Sequence, residues 1–118
     1  MKRNNQVQEK SYAFALRIIM LYKYLTSHGE YVLSKQISRS GTSIGANVEE
    51  AIGCCSSKDF LAKFSIVYKE TRETHYWLRF MRDSKSLNEK QAAFLLKDCE
   101  ELLRIIGTIQ KTLKSKQK

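Results

Sequence analysis

Residues 88–113 read NEKQAAFLLKDCEELLRIIGTIQKTL. Within this stretch Ala92, Leu95, Cys99, Leu102, Ile106, Ile109 and Leu113 recur at alternating steps of three and four. At 3.6 residues per turn, such a series is one continuous apolar seam along a helix, the pattern of a helix packed against others. Asn88 and Gln91 stand where a capping box needs them, each side chain able to bond the other residue's backbone N–H. The stretch therefore predicts a helix over about 89–113. A helix carrying so long a seam needs neighbours to cover it, and the rest of the chain supplies three.

Upstream, Phe60, Phe64, Val67, Thr71, Thr74, Leu78 and Met81 repeat by four and three, which predicts a helix over 57–83. Ser56 and Ser57 offer caps and Asp59 an acid for its first turn. A second segment, about 33–53, presents Leu33, Ile37, Ile44, Val48 and Ile52. Gly41 and Gly45 lie four apart within it. Glycine inside a helix costs roughly 1 kcal/mol against alanine, so close approach of another helix backbone is the expected compensation. The first segment, about 6–27, sets Phe14, Ile18, Leu21 and Leu25 on one face, with Leu16, Met20 and Tyr24 as a second line. Tyr12, Ile19 and Tyr22 add further apolar surface. That leaves little polar back, so this helix is expected to be covered both by its own bundle and by a neighbouring subunit. Gly29 supplies a left-handed helix stop. The loops are short, so consecutive helices should be antiparallel neighbours. No segment alternates with the period of a strand. The expected fold is all-α: one domain, residues 1–118, an antiparallel up-down-up-down four-helix bundle with a basic tail over 114–118.

The length of 118 residues suits one core without staples. With 21 Lys+Arg against 12 Asp+Glu, the formal net charge is +9, a field that attracts polyanions. Three cysteines cannot all pair with one another, and a bridge between adjacent Cys54 and Cys55 would be strained. Reduced thiols in a cytoplasmic protein are expected. The N-terminus does not read as a secretory signal. The longest apolar-rich stretch, 12–25, is too short and too charged to span a bilayer.

Catalytic patterns are scarce. There is no phosphate-cradling glycine loop, no HExxH and no CxxC. Neither His28 nor His75 follows a Glu three residues earlier, as a di-iron bundle would require. The cysteines lack zinc spacing. No catalytic residue, metal or cofactor is expected, and His75 reads as an interfacial or core-edge residue.

A polar constellation is more telling. Arg39, Ser43, Asn47 and Glu50 fall on one side of the second helix, and Glu70 and Glu73 lie three apart on the third. If these faces meet, Arg39 can pair with Glu50, Glu70 or Glu73 and Asn47 can bridge backbone or hydroxyl groups. Arg39 is then expected to be largely shielded, since buried charge is tolerated when paired. A catalytic or ligand pocket is one use of such a cluster. A network fixing helix register and assembly is the favoured one.

The runs Lys35–Ala51, Ser57–Phe60 and Lys69–Leu78, with Tyr12-Ala13-Phe14-Ala15, Arg17-Ile18 and Leu21-Tyr22, resemble the bacterial four-helix-bundle family, also called the 23S rRNA intervening-sequence proteins. The resemblance covers roughly residues 10–113, and Arg39-Ser40-x-x-Ser43-Ile44-x-x-Asn47 is its most specific part. It implies a bundle that assembles as a homopentamer. The family is similar to the accessory protein of diversity-generating retroelements, a basic pentameric bundle that binds nucleic acid and reverse transcriptase. Cys54-Cys55 departs from the Ala, Gln or Ser of other members and is assigned no role.

Lys90, Lys97, Arg104, Lys111 and Lys118 recur every seven residues along one slowly drifting face. Pairs at i,i+4 are available: Glu100 with Arg104, Lys97 with Glu101, Asp59 with Lys63, Lys69 with Glu73, Arg79 with Asp83. Beyond Glu101 no acid follows, whereas Arg104, Lys111, Lys114, Lys116 and Lys118 do. This terminal excess is the candidate nucleic-acid contact, made to phosphates with little sequence preference. The expected protein is a cytoplasmic, non-enzymatic homo-oligomer, with RNA or DNA and a nucleic-acid-processing protein as candidate partners and no membrane. The rival is a protein-interaction scaffold whose charge serves solubility alone.

Overall fold

The computed structural model describes residues 2–116, with the side chains of 5–116. It consists of α1 (Lys2–Ser27), α2 (Tyr31–Ile52), α3 (Ser57–Asp83) and α4 (Glu89–Lys116). No strand occurs among the described residues. The 28 residues of α4 span roughly 42 Å at helical rise, close to the 48 Å long axis of the molecule. Each helix thus runs most of the bundle's length, and short connections reverse the chain three times. The result is an antiparallel up-down-up-down four-helix bundle in which α1 meets α4 less extensively than the other neighbours meet.

The apolar seams are the core. Ala92, Leu95, Cys99, Leu102, Ile106 and Ile109 of α4 are buried, and Leu113 packs at the edge. Against them lie Phe64, Val67, Leu78 and Met81 of α3, Ile37, Ile44 and Val48 of α2, and Val7, Phe14, Ile18, Leu21 and Leu25 of α1. Ile52 is exposed, and Ala51 takes the buried place expected of it. Ile52 lies one step, about 100° of helix rotation, off the seam. The α1–α2 contact is very close. A methyl on Gly41 would sit 2.8 Å from both Cγ atoms of Ile18, and one on Gly45 would sit 3.3 Å from the Ser11 carbonyl oxygen. Only glycine at these two positions lets the helices come so near.

The helix ends follow local chemistry. Gly29 takes φ +79° after α1. Ser56 Oγ accepts the Asp59 N–H at 3.1 Å. Asn88 Oδ1 accepts from the Gln91 N–H at 2.8 Å, and Gln91 Oε1 accepts from the Asn88 N–H at 3.1 Å, a complete capping box. Four bounds differ from the reading of the sequence, the smallest difference being the end of α2 at Ile52 rather than residue 53. α1 begins at Lys2 rather than near residue 6, because Val7 extends its buried face. α2 begins at Tyr31, directly after Glu30, rather than at Leu33. α4 does not stop at Leu113 but continues through Lys116, where no breaker intervenes and Lys114 and Lys116 complement the carbonyl end of the helix.

Candidate nucleic-acid interface

The polar constellation meets across α2 and α3. The Arg39 guanidinium bonds Glu73 through Nη2 and reaches Glu70 Oε2 at 3.4 Å through Nη1. Ser43 Oγ donates to the same Glu70 oxygen at 2.9 Å, and Trp77 Nε1 donates to Glu73 at 3.1 Å. Asn47 turns back on its own helix and donates to the Ser43 carbonyl at 2.8 Å. Glu50 stands outside the group and holds Lys63 at 2.6 Å, a bond that raises the lysine's proton affinity. The Arg39 side chain is 53% exposed in the single chain, so it is not shielded as expected. It lies on the rim of the α2–α3 groove, where a long side chain spans two carboxylates while its edge stays in water. With its acids engaged by Arg39, Ser43 and Trp77, the cluster ties α2 to α3.

A buried polar layer below it was not singled out in the sequence as a set. Ser40, Thr71 and Thr74 are fully buried. Thr74 and Ser40 hydroxyls meet at 2.9 Å, and Thr74 also donates to the Glu70 carbonyl at 2.8 Å. Thr71 donates to the Val67 carbonyl at 2.7 Å, and Cys99 Sγ donates to the Thr71 carbonyl at 3.5 Å. Burial pushes the Cys99 thiol up to about 12, with Glu100 and Asp98 adding to the shift. The thiol is therefore a packed neutral group. The threonines at seam positions 71 and 74 were the signal that could have revealed this layer.

The basic residues of α4 follow a different rule. Lys90, Lys97, Arg104, Lys111, Lys114 and Lys116 are all exposed. None forms an ion pair with a described residue. The i,i+4 pairs expected within helices do not form. Glu101 instead bonds Lys10 at 2.6 Å, which lowers its carboxyl, and Glu100 bonds His75 Nε2 at 2.9 Å. Lys63 goes to Glu50, Glu73 to Arg39, and Asp83 to Arg82, which holds that carboxyl low. Asp98 bonds Arg17 at 2.6 Å, and Arg17 also lies over the Phe94 ring. Asp98, Glu100 and Glu101 of α4 are thus drawn to the helix flanks, where they bridge to α1 or α3. The outward stripe of α4 keeps its positive charge. Lys118 lies outside the described residues. Among the described residues no group of three or more His, Cys, Asp and Glu is placed to hold a metal ion. No helix there is long and apolar enough to cross a membrane.

A family model for 23S rRNA-intervening sequence proteins matches residues 3–108, which span all four helices. The chain belongs to the 23S rRNA-intervening sequence protein family. A solved family relative bears out the fold: a protein of unknown function from the S23 ribosomal protein family of Bacteroides thetaiotaomicron VPI-5482. It superposes with a TM-score of 0.89 at 41% identity, covering 92% of this chain and 98% of its own. No curated protein matches the chain.

Proposed function

We propose that this member of the 23S rRNA-intervening sequence protein family is a non-enzymatic, homo-oligomeric cytoplasmic bundle that binds RNA or DNA through charge. The observation that carries the reading is the outward stripe of α4. Its described cations are exposed and form no ion pair, while the neighbouring acids are bound elsewhere. Phosphates are the groups such a stripe attracts, and each one neutralised releases counterions. Assembly is supported by α1, whose outward face leaves Leu16 56% and Met20 65% exposed beside Tyr12 and Ile19. Apolar surface of that extent on one helix marks a contact face. The resemblance to the family implies five subunits. Repetition of the stripe around an oligomer would raise a weak phosphate affinity without new contacts.

The test is binding of a labelled RNA and a labelled duplex DNA over a salt series. The wild-type chain is compared with one carrying Lys111, Lys114, Lys116 and Lys118 changed to Gln. Affinity should fall for every sequence, and the salt slope should flatten by roughly 0.9 for each duplex phosphate no longer neutralised. Helicity and assembly mass should not change. Absence of any binding at low salt would leave the scaffold reading in place. A monomer mass by light scattering at micromolar concentration would remove the oligomer.

A further inference from the structure

Tyr76, Trp77 and Phe80 gather their rings on the outward side of α3. Tyr76 and Trp77 meet edge-on at 5.0 Å, Trp77 and Phe80 at 6.0 Å, and Tyr76 and Phe80 at 6.3 Å. Residues of this kind normally fill a core, yet Tyr76 is 48% and Phe80 45% exposed. The seam of α3 is completed without them by Thr74, Leu78 and Met81. The cluster is anchored, because the half-buried Trp77 is tied through its indole N–H to Glu73.

The surroundings are cationic. Arg79 lies over the Tyr76 ring, 5.9 Å from its centre. Arg72, one turn earlier, is exposed and forms no ion pair with a described residue. The two acids on this surface are already engaged, Glu73 by Arg39 and Asp83 by Arg82. The His75–Glu100 and Gln110–Phe64 bonds fix the antiparallel register of α3 and α4. That register sets Arg72 abreast of the Leu102–Leu103 step and Arg79 abreast of the Leu95–Leu96 step. The two arginines therefore stand level with the stretch of α4 that carries Lys97 and Arg104.

We propose that Tyr76 and Phe80, flanked by Arg72 and Arg79, form a stacking platform for the unpaired bases of a single-stranded nucleic acid. The proposal rests on the charge reading above and adds a strand preference to it. Exposed rings offer a π-face to any base, and the neighbouring cations follow the backbone. In a duplex the base faces are stacked on one another and cannot reach the rings. A second copy of the chain is a poorer occupant. The most extensive exposed apolar face lies on α1, with Tyr12, Leu16 and Met20, and the sole acid of that helix is Glu9. Burying Arg72 and Arg79 against that face would leave both charges without counter-ions.

The experiment measures binding of a labelled oligothymidylate and a labelled duplex of equal length to the full chain. A Tyr76→Ala/Phe80→Ala variant is compared with Tyr76→Leu/Phe80→Leu, which keeps apolar surface but no π-face. Both should weaken oligothymidylate binding about tenfold or more, the scale expected for loss of base stacking. Duplex binding and both salt slopes should stay as in wild type, since no cation is removed. Trp77, the one tryptophan of the chain, should be quenched by oligothymidylate and not by the duplex. Wild-type binding of both probes with unaltered affinity in the variants would overturn the platform and spare the charge reading. Binding of neither probe by wild type would overturn both. A drop in assembly mass in the variants would show that a second copy covers the rings, and would also overturn the proposal.

Discussion

Three glycines inside helices should respond to alanine with different signs, and the differences follow from what surrounds each one. Gly107 has nothing within 4 Å of an added methyl. Gly107→Ala should therefore show the helix-propensity gain alone, about 0.8–1 kcal/mol of added stability. Gly41→Ala receives the same gain but places its methyl 2.8 Å from Cγ1 and Cγ2 of Ile18. Carbon atoms pack best at about 3.5–4.0 Å, so the approach is roughly 1 Å too close. Ile18 is fully buried, and a β-branched residue in a helix has one strongly preferred rotamer, so it has nowhere to turn. Relieving the clash means moving α1 away from α2. Overpacking of this kind costs about 1–3 kcal/mol, which leaves Gly41→Ala net destabilising by up to about 2 kcal/mol. Gly45→Ala meets the Ser11 carbonyl oxygen at 3.3 Å and should fall between the two.

Urea denaturation followed by far-ultraviolet circular dichroism measures all three. Every sample needs the same protomer concentration, because the proposed assembly would make the midpoint concentration-dependent. A double-mutant cycle sharpens the result. Ile18→Ala alone should cost about 2–5 kcal/mol. Combined with Gly41→Ala it should cost less than the sum by at least about 1 kcal/mol, since the new methyl enters space the isoleucine vacated. Gly41→Ala stabilising as much as Gly107→Ala would refute the close α1–α2 contact.

Arg39→Ala should cost only about 1 kcal/mol in the isolated chain, because the guanidinium is 53% exposed and exposed pairs are weak. A loss of about 3–5 kcal/mol would mean that this face is covered by another molecule. Cys99 gives a pH prediction. Its thiol is raised from 9.0 to about 12, so above pH 9 the unfolded chain loses a proton that the folded chain keeps. Stability is unaffected below pH 9 and falls by about 1.4 kcal/mol per pH unit from there toward 12. Cys99→Ala should remove that part of the decline, and identical alkaline profiles for variant and wild type would contradict the burial of the thiol.

The bundle was legible because its code is local. The seam from Ala92 to Leu113 needs only the helix period to be read, and the Asn88–Gln91 box needs only the spacing of its two members. The Gly41–Gly45 contact was also legible, since glycine in a helix requires a reason. The Arg39 cluster was readable in part. Spacing put Arg39, Ser43 and Asn47 on one side of α2 and Glu70 and Glu73 on one side of α3. It could not say how far the groove lay below the surface, so the shielding of Arg39 was overstated. Nor could it separate Glu50, which sits one turn beyond Asn47 and finds Lys63 first. The Tyr76–Phe80 cluster went unread because aromatic residues in a helix are ordinarily core, and their position relative to the seam was not weighed.

That position also explains the ion pairs. An i,i+4 pair on a helix surface is worth only about 0.2–0.5 kcal/mol. A long side chain at the flank of a seam has a second helix within reach and can bridge to it. Glu101, Glu100 and Asp98 flank the α4 seam, and each bonds a residue of α1 or α3. Lys97, Arg104 and Lys111 stand opposite the seam, where no helix of the same bundle can be reached, and they form no ion pair with a described residue. Tyr76 and Phe80 hold the corresponding place on α3. What lies opposite a seam is thus left to solvent or to another molecule. On this chain those positions carry cations on α4, rings and arginines on α3, and apolar side chains, Tyr12 among them, on α1. Under the proposed reading the α1 face serves assembly, while the α3 and α4 faces are left to meet a nucleic acid.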